Sequence, residues 1–431
     1  MARLLQPGVR RREVWAWAMY DFANSGYTTV VITAVFGAYF VAVVAGDAPW
    51  ATFAWTLALS VSYALVMLTA PLIGAYADAH ARKKPLLWLT TAGCVGGTAL
   101  LYFAAPGALV VAIAALVLSN YFFGTGENLI AAFLPELARP RALGRVSGWG
   151  WGLGYLGGLG SLGASLAYIS HAQAQGDGAA DFVPVAMLIT AAIFLLASLP
   201  TLLLLRERAT AQPTHAPRTA WRQVRHTLGH LEQLPDLKRF LICTLLYHAG
   251  IQAVITLAAI YASQVFHFDT QQTIQLVLVV NITAAIGAFA FGYLQDRIGH
   301  VRAIALTLAG WIAMVLIAWA APGEALFWLA ANLAGLCMGA SQSAGRAMVG
   351  LLAPPAHQAE FFGLWGLAVK SASIVGPLTY GAATWLTAGD HRQALLITGV
   401  WFVAGLWMLR GIRADRGRRA AYRFTLVSEH G

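Results

Sequence analysis

Four ionisable side chains, Asp21, Glu127, Arg346 and Lys370, stand inside long apolar runs. A charge at the centre of a membrane-spanning helix costs at least about 2.5 kcal/mol, so each should face a cavity and find a partner. Counting about 1.5 Å per residue from the nearest cation-rich loop puts Asp21, Glu127 and Lys370 roughly 9 to 14 Å deep, in one layer. Lys370, a lone ammonium near the midplane, has the chemistry to bind a solute carboxylate or phosphate, or to neutralise Glu127 when no solute is present. Asp21 and Glu127 have the chemistry to carry a coupling proton or to hold a cation such as Arg346. His248 adds an imidazole, the side-chain type that titrates near neutral pH, and is a further proton-coupling candidate. Tyr20, Asn24, Gln252 and Gln342 are uncharged polar groups suited to a solute-lined cavity, whereas Asn128, Asn281 and Asn332 are expected to bond helix to helix.

Other chemistries find no support in the sequence. Cys94, Cys243 and Cys337 are singletons in apolar stretches, without metal-ligand or disulfide spacing. No nucleophile and base arrangement and no nucleotide-binding motif is present, so neither an enzyme nor an ATP-driven pump is expected, and no metal or cofactor is implied. The glycines between Gly148 and Gly163 repeat along an apolar helix with no preceding strand, which fits close helix packing rather than a phosphate loop. The net charge of +10 lies in short clusters between apolar segments, the pattern of orientation signals and not of a nucleic-acid surface.

These residues must be positioned by membrane helices. The chain of 431 residues is 59% hydrophobic and 11% charged, where a soluble domain is roughly a quarter charged. Runs long enough to span cover Val14 to Val44, Trp50 to Tyr76, Leu86 to Ala105, Ala108 to Leu134, Gly144 to Ile169 and Val183 to Leu205. A second six cover Phe240 to Val265, Thr273 to Leu294, Val301 to Ala321, Ala325 to Leu351, Phe361 to Thr387 and Ala394 to Leu409. The expected class is an all-α membrane protein of twelve helices, with a first six-helix bundle over residues 1–205, a polar linker over 206–238 and a second bundle over 239–431 that ends in a basic tail. Arg10 to Arg12 followed by an apolar run superficially resembles a secretion signal, but the run is long and contains Asp21 and Asn24, as a retained first helix would.

Lys and Arg crowd alternate loops, which places both termini and the linker in the cytoplasm. The opposite loops carry Asp47, Asp177, Asp181, Asp269, Glu324 and Asp390, with Arg392 the exception. The halves also echo each other. Gly74 to Asp78, with Arg82 and further cations behind it, follows the second span, and Gly292 to Asp296, with Arg297, Gly299 and Arg302, follows the eighth. Glycine permits close helix approach, and an aspartate at a helix end can cap a neighbouring helix and pair with arginine. Asp78, Arg82, Asp296, Arg297 and Arg346 are therefore the gating candidates.

The second copy closely resembles the cytoplasmic loop motif of the major facilitator superfamily, and the first fits it less closely. The first helix, Tyr20-Asp21-Phe22-Ala23-Asn24-Ser25, resembles the signature of the vacuole effluxer-like branch, named for autophagy-related amino-acid exporters of fungi and including bacterial members. Ser147 to Gly158 in the fifth span and Glu360 to Pro377 in the eleventh resemble the same branch. The seventh span departs from it, with Tyr247-His248-Ala249-Gly250 in place of a carboxylate-bearing segment. The tenth departs too, with Gly345-Arg346-Ala347 in place of Ser-Arg-Ser.

The resemblance implies a major facilitator fold and a monomeric secondary transporter of the bacterial inner membrane, working by alternating access. It implies export of an amino acid or related zwitterionic or anionic metabolite, with protons as the coupling ion and lipids as surroundings. Two other readings stand beside it: a carrier of a siderophore, drug or peptide, and a membrane sensor that uses the fold without moving solute.

Overall fold

The computed structural model describes residues 4–46, 48–209, 229, 231–268 and 270–430. Long apolar segments cannot leave backbone N–H and C=O groups unpaired in lipid, so the chain closes them within helices. Apart from an isolated bridge between Leu5 and Ala138, all regular structure among the described residues is helical.

The first half holds α1 (Arg11–Val44), α2 (Ala51–His80), α3 (Lys83–Leu100), α4 (Leu109–Ala131), α5 (Leu143–Ala174) and α6 (Ala179–Leu204). The second holds α7 (Pro235–Phe266), α8 (Thr270–Ile298), α9 (His300–Ala320), α10 (Glu324–Leu352), α11 (Gln358–Leu386) and α12 (His391–Leu409, in two pieces that meet at Gly399). A terminal helix, α13 (Ala414–His430), follows. Among the described residues, eleven helices are long and apolar enough to cross a membrane. The twelfth, α5, is a continuous helix of 32 residues whose glycines lower its hydropathy without breaking it. Helices run up to a turn past the apolar stretches, since hydrogen bonding continues where the chain leaves the hydrocarbon.

Alternating helix directions gather the arginine-rich loops at one end, here termed the basic face. Gln6 Nε2 donates to Pro135 O at 3.1 Å, Lys83 pairs with Glu136, and Arg208 Nη2 lies 2.8 Å from Glu13 Oε2. The linker is anchored where it leaves α6: Glu207 accepts the N–H groups of Lys83 and Lys84 at 2.7 and 3.0 Å, capping α3. The two aspartate loops turn in the same way. Three residues beyond each aspartate the backbone enters the left-handed region, at Gly299 with φ 90 and at Ala81 with φ 50. Glycine does so at no cost, and Ala81 accepts mild strain for the same reversal.

The halves meet along α2 with α11 and along α5 with α8. A six-helix shift exchanges these two seams, which is the pseudo-two-fold relation of a repeated bundle. Close approach depends on the small residues. A Cβ at Gly339 would strike the carbonyl of Ala284 within the second half, and one at Gly157 the carbonyl of Phe22 within the first.

Candidate functional site

Three tiers of polar contacts join the halves, beginning at the basic face. In the first, Asp78 Oδ2 accepts the N–H of Glu360 at 2.9 Å, in the first turn of α11. Asp296 accepts the N–H groups of Gly144 and Arg145 at 3.1 and 3.3 Å, in the first turn of α5. Each aspartate thus caps a helix of the opposite half, where unpaired N–H groups and the positive end of the helix dipole favour a carboxylate. Gly74 and Gly292 give the clearance, because a Cβ on either would collide with the carbonyl of Ala359 or of Gly144. The cations that accompany the aspartates are Lys83, 3.9 Å from Asp78, and Arg145, whose Nε is 2.8 Å from Asp296 Oδ2. Arg82 is exposed, 3.5 Å from the hydroxyl of Tyr76, and Arg297 is exposed as well. Arg82 reaches back to its own helix, and among the described residues neither arginine pairs with the opposite half.

In the second tier Arg346, buried on α10, crosses to α1 and α5. Its guanidinium lies 2.7 Å from Asp21 Oδ2 and donates to Asp21 Oδ1 at 2.9 Å, to Ser147 Oγ at 3.1 Å and to Ser147 O at 3.0 Å. It stacks over Trp17 at 4.6 Å and Trp151 at 5.3 Å, so the charge is held between two π faces. Gly150 is required here: a Cβ there would overlap Asp21 Oδ2 and crowd Arg346 Nη2. Close by, the Tyr155 hydroxyl donates to Gln342 Oε1 at 2.7 Å, again between halves.

In the third tier Lys370 of α11 meets Glu127 of α4 at 3.3 Å. The ammonium lies 5.2 Å from the ring of Tyr63 and 5.6 Å from that of Phe123. The Lys370 side chain is 11% exposed and that of Glu127 28%, so the cation is enclosed and the carboxylate is the accessible member of the pair. His248 lies within electrostatic reach of Lys370, and its Nε2 has no partner among the described residues. Asn24 Oδ1 is likewise buried without one, and Gln252 Nε2 donates to Ser373 Oγ.

The structure therefore selects, among the roles the sequence left open for these candidates, two ion pairs. Asp21 goes with Arg346 and Glu127 with Lys370. Gln252 and Gln342 lie near these pairs. Tyr20 is buried inside the first half with its hydroxyl 2.9 Å from Thr91 Oγ1, away from the seam. Asn281 and Asn332 donate to Val277 O and Trp328 O of their own helices, at 2.8 Å each, rather than to neighbouring helices. Lys83, Arg145, Tyr63 and Phe123 were not singled out by sequence as site residues, and Ser147 and Trp151 entered only as parts of the Ser147 to Gly158 motif. Arg145 left a signal of its own, as a cation in the first turn of α5, where α11 has Glu360.

The family model described as "Vacuole effluxer Atg22 like" matches residues 41–145 and 141–422. The uncharacterized MFS-type transporter YxiO of Bacillus subtilis is 26% identical over 402 residues, which is 90% of this chain and 92% of that protein. Autophagy-related protein 22 of Eremothecium gossypii is 23% identical over 347 residues, 73% of this chain and 67% of its own length. That of Cryptococcus neoformans is 28% identical over 207 residues, and there the match spans 44% of this chain and 38% of the fungal protein. Among solved structures, the human organic anion transporter MFSD10 has a TM-score of 0.72 at 17% identity, over 94% of this chain and all of its own. The E. coli fucose:proton symporter FucP has a TM-score of 0.73 at 15% identity, over 93% of this chain and 97% of its own. At these identities the likeness to solved structures speaks for the fold.

Proposed function

Because the chain belongs to the vacuole effluxer Atg22-like family of major facilitator transporters, we propose that it moves a small zwitterionic or anionic solute, of the amino-acid class, out across a bacterial inner membrane. The observation that carries this reading is the Lys370–Glu127 pair, which spans the two halves with its carboxylate the more exposed member. A zwitterion can replace each charge of that pair with its own opposite charge, so cargo entry separates the pair without leaving either charge unpaired. Gln252, Gln342 and Asn24 supply neutral hydrogen-bonding groups nearby. His248 and Asp21 are the groups we assign to proton coupling, Asp21 because its cation partner belongs to the other half and is present only while the halves touch on this side.

With both termini cytoplasmic, the contacts of Asp78, Asp296 and Arg346 close the cytoplasmic side. Transport then requires them to part as the halves rock about the central site. The test is flux of an amino-acid mixture in liposomes containing the purified protein, with and without a pH gradient, for wild type, Lys370→Ala and Asp21→Asn. We expect gradient-dependent flux that Lys370→Ala abolishes and that Asp21→Asn uncouples from the gradient. No flux of any amino acid would refute the cargo class and leave another metabolite or a sensor role.

A further inference from the structure

The terminal helix α13 begins five residues after Leu409, the end of the last span, and so starts at the membrane surface of the basic face. It is clasped to the second half. Asp236, fully buried, accepts the N–H of Arg413 at 2.8 Å and two bonds from Arg416, at 2.7 Å from Nε and 2.8 Å from Nη2. Its inward residues are small or apolar: Gly417 and Ala421 are buried, and Phe424 meets the ring of His357 edge-on at 5.6 Å. A Cβ at Gly417 would crowd Leu352 and Asp236, so the helix lies directly on α7 and α10.

The outward face has a different composition. Arg416, Arg419 and Arg423, at i, i+3 and i+7, form one exposed stripe, and Tyr422 and Leu426, at i and i+4, form an exposed stripe beside it. Arg239, Arg410 and Arg413 are exposed next to the first stripe. The six arginines from Arg410 to Arg423 outnumber the acidic groups near them. Asp236 beneath the helix holds Arg416, Asp415 in the first turn of α13 lies one turn before Arg419, Glu207 caps α3, and Glu232 pairs with Lys238. The stretch from 208 to 230 carries Arg208, Arg218, Arg222 and Arg225 and no acidic residue, so the linker offers no counter-charge.

We propose that the outer face of α13 binds the anionic phospholipid headgroups of the membrane surface on which it lies. Guanidinium groups give the paired donors that phosphate oxygens accept, and a basic stripe beside an aromatic and aliphatic one is the pattern of a helix seated at a lipid interface. Each arginine at such a surface strengthens binding roughly five-fold. The inference concerns a surface distant from the cargo site and holds whatever solute is carried.

The test uses the full-length protein in lipid nanodiscs of phosphatidylcholine with and without phosphatidylglycerol. Tyr422→Cys is labelled with an environment-sensitive fluorophore in a background where the buried Cys94, Cys243 and Cys337 are replaced by alanine. The expected result is blue-shifted emission and protection from acrylamide in the anionic discs only, reversed by high salt. Arg419→Gln with Arg423→Gln lowers the ratio of docked to undocked helix roughly 25-fold, and both side chains are exposed, so folding is undisturbed. Equal quenching in the two kinds of disc would overturn the proposal, and is what an acidic protein partner in place of lipid would give. Equal protection in both discs would also overturn it, since apolar insertion alone would then account for the contact.

Discussion

Replacing Arg346 with glutamine strands Asp21 in the closed seam, because the guanidinium is the group that balances the carboxylate there. Breaking a buried pair by removing one partner costs about 3 to 5 kcal/mol. The lower end applies here, because the Asp21 side chain keeps 10% exposure. The cost falls on the state in which the halves touch, since separation lets water reach Asp21. About 3 kcal/mol therefore moves the balance between closed and open basic faces by roughly a hundredfold or more. Spin labels at Arg141→Cys and Arg297→Cys, both exposed and on opposite halves beside the Gly144–Asp296 contact, report that distance by pulsed electron resonance. Wild type should give a narrow short distance, Arg346→Gln a dominant longer one, and Arg346→Gln with Asp21→Asn a return toward the short one, because the stranded charge is gone. An unchanged short distance in Arg346→Gln would sink the view that this pair holds the seam, and failure of the second substitution to restore it would show that lost packing against Trp17 and Trp151 matters more than charge.

Three further outcomes follow from the same geometry. Gly150→Ala forces a Cβ into Asp21 Oδ2 and should cost about 1 to 3 kcal/mol, read as a lowered thermal midpoint together with the longer label distance. Asp78→Ala and Asp296→Ala each remove a helix cap worth about 1 kcal/mol and should lengthen the same distance, Asp296→Ala more because it also loses the Arg145 pair; Arg82→Gln, at an exposed cation, should leave it near wild type, and an effect equal to that of Asp78→Ala would refute the assignment of that site's cation to Lys83. Asp236→Ala removes three bonds to α13 and should speed tryptic cleavage after Arg418 and Arg419 at least tenfold, since cleavage follows the population of locally opened helix; an unchanged rate would mean that the inner apolar face alone holds it.

The membrane fold was legible because the bilayer demands about twenty apolar residues per crossing, a requirement written in one dimension. The glycine-rich fifth span was legible for a different reason: its small residues keep a helical repeat, and they turn out to admit the Asp21–Arg346 pair and the carbonyl of Phe22. The aspartate loops could be identified as caps from residue type and position, but not their cations. Arg82 and Arg297 follow the motif spacing, whereas Lys83 and Arg145 are set by which side of each helix meets the other half. Tyr20 shows the same limit. It sits within a signature motif, yet the rotation of α1 turns it toward Thr91 rather than the seam.

By itself, then, the sequence determined the all-helical membrane architecture and the fact that Asp21, Glu127, Arg346 and Lys370 need partners, since both follow from the cost of placing charge and bare backbone in hydrocarbon. Only the tertiary structure decided who pairs with whom. Asp21 and Arg346 are 325 residues apart, and Glu127 and Lys370 are 243 apart. Such partners are chosen by helix rotation and by the close contacts that glycine allows between α5 and its neighbours, and neither is encoded in the spacing along any single helix.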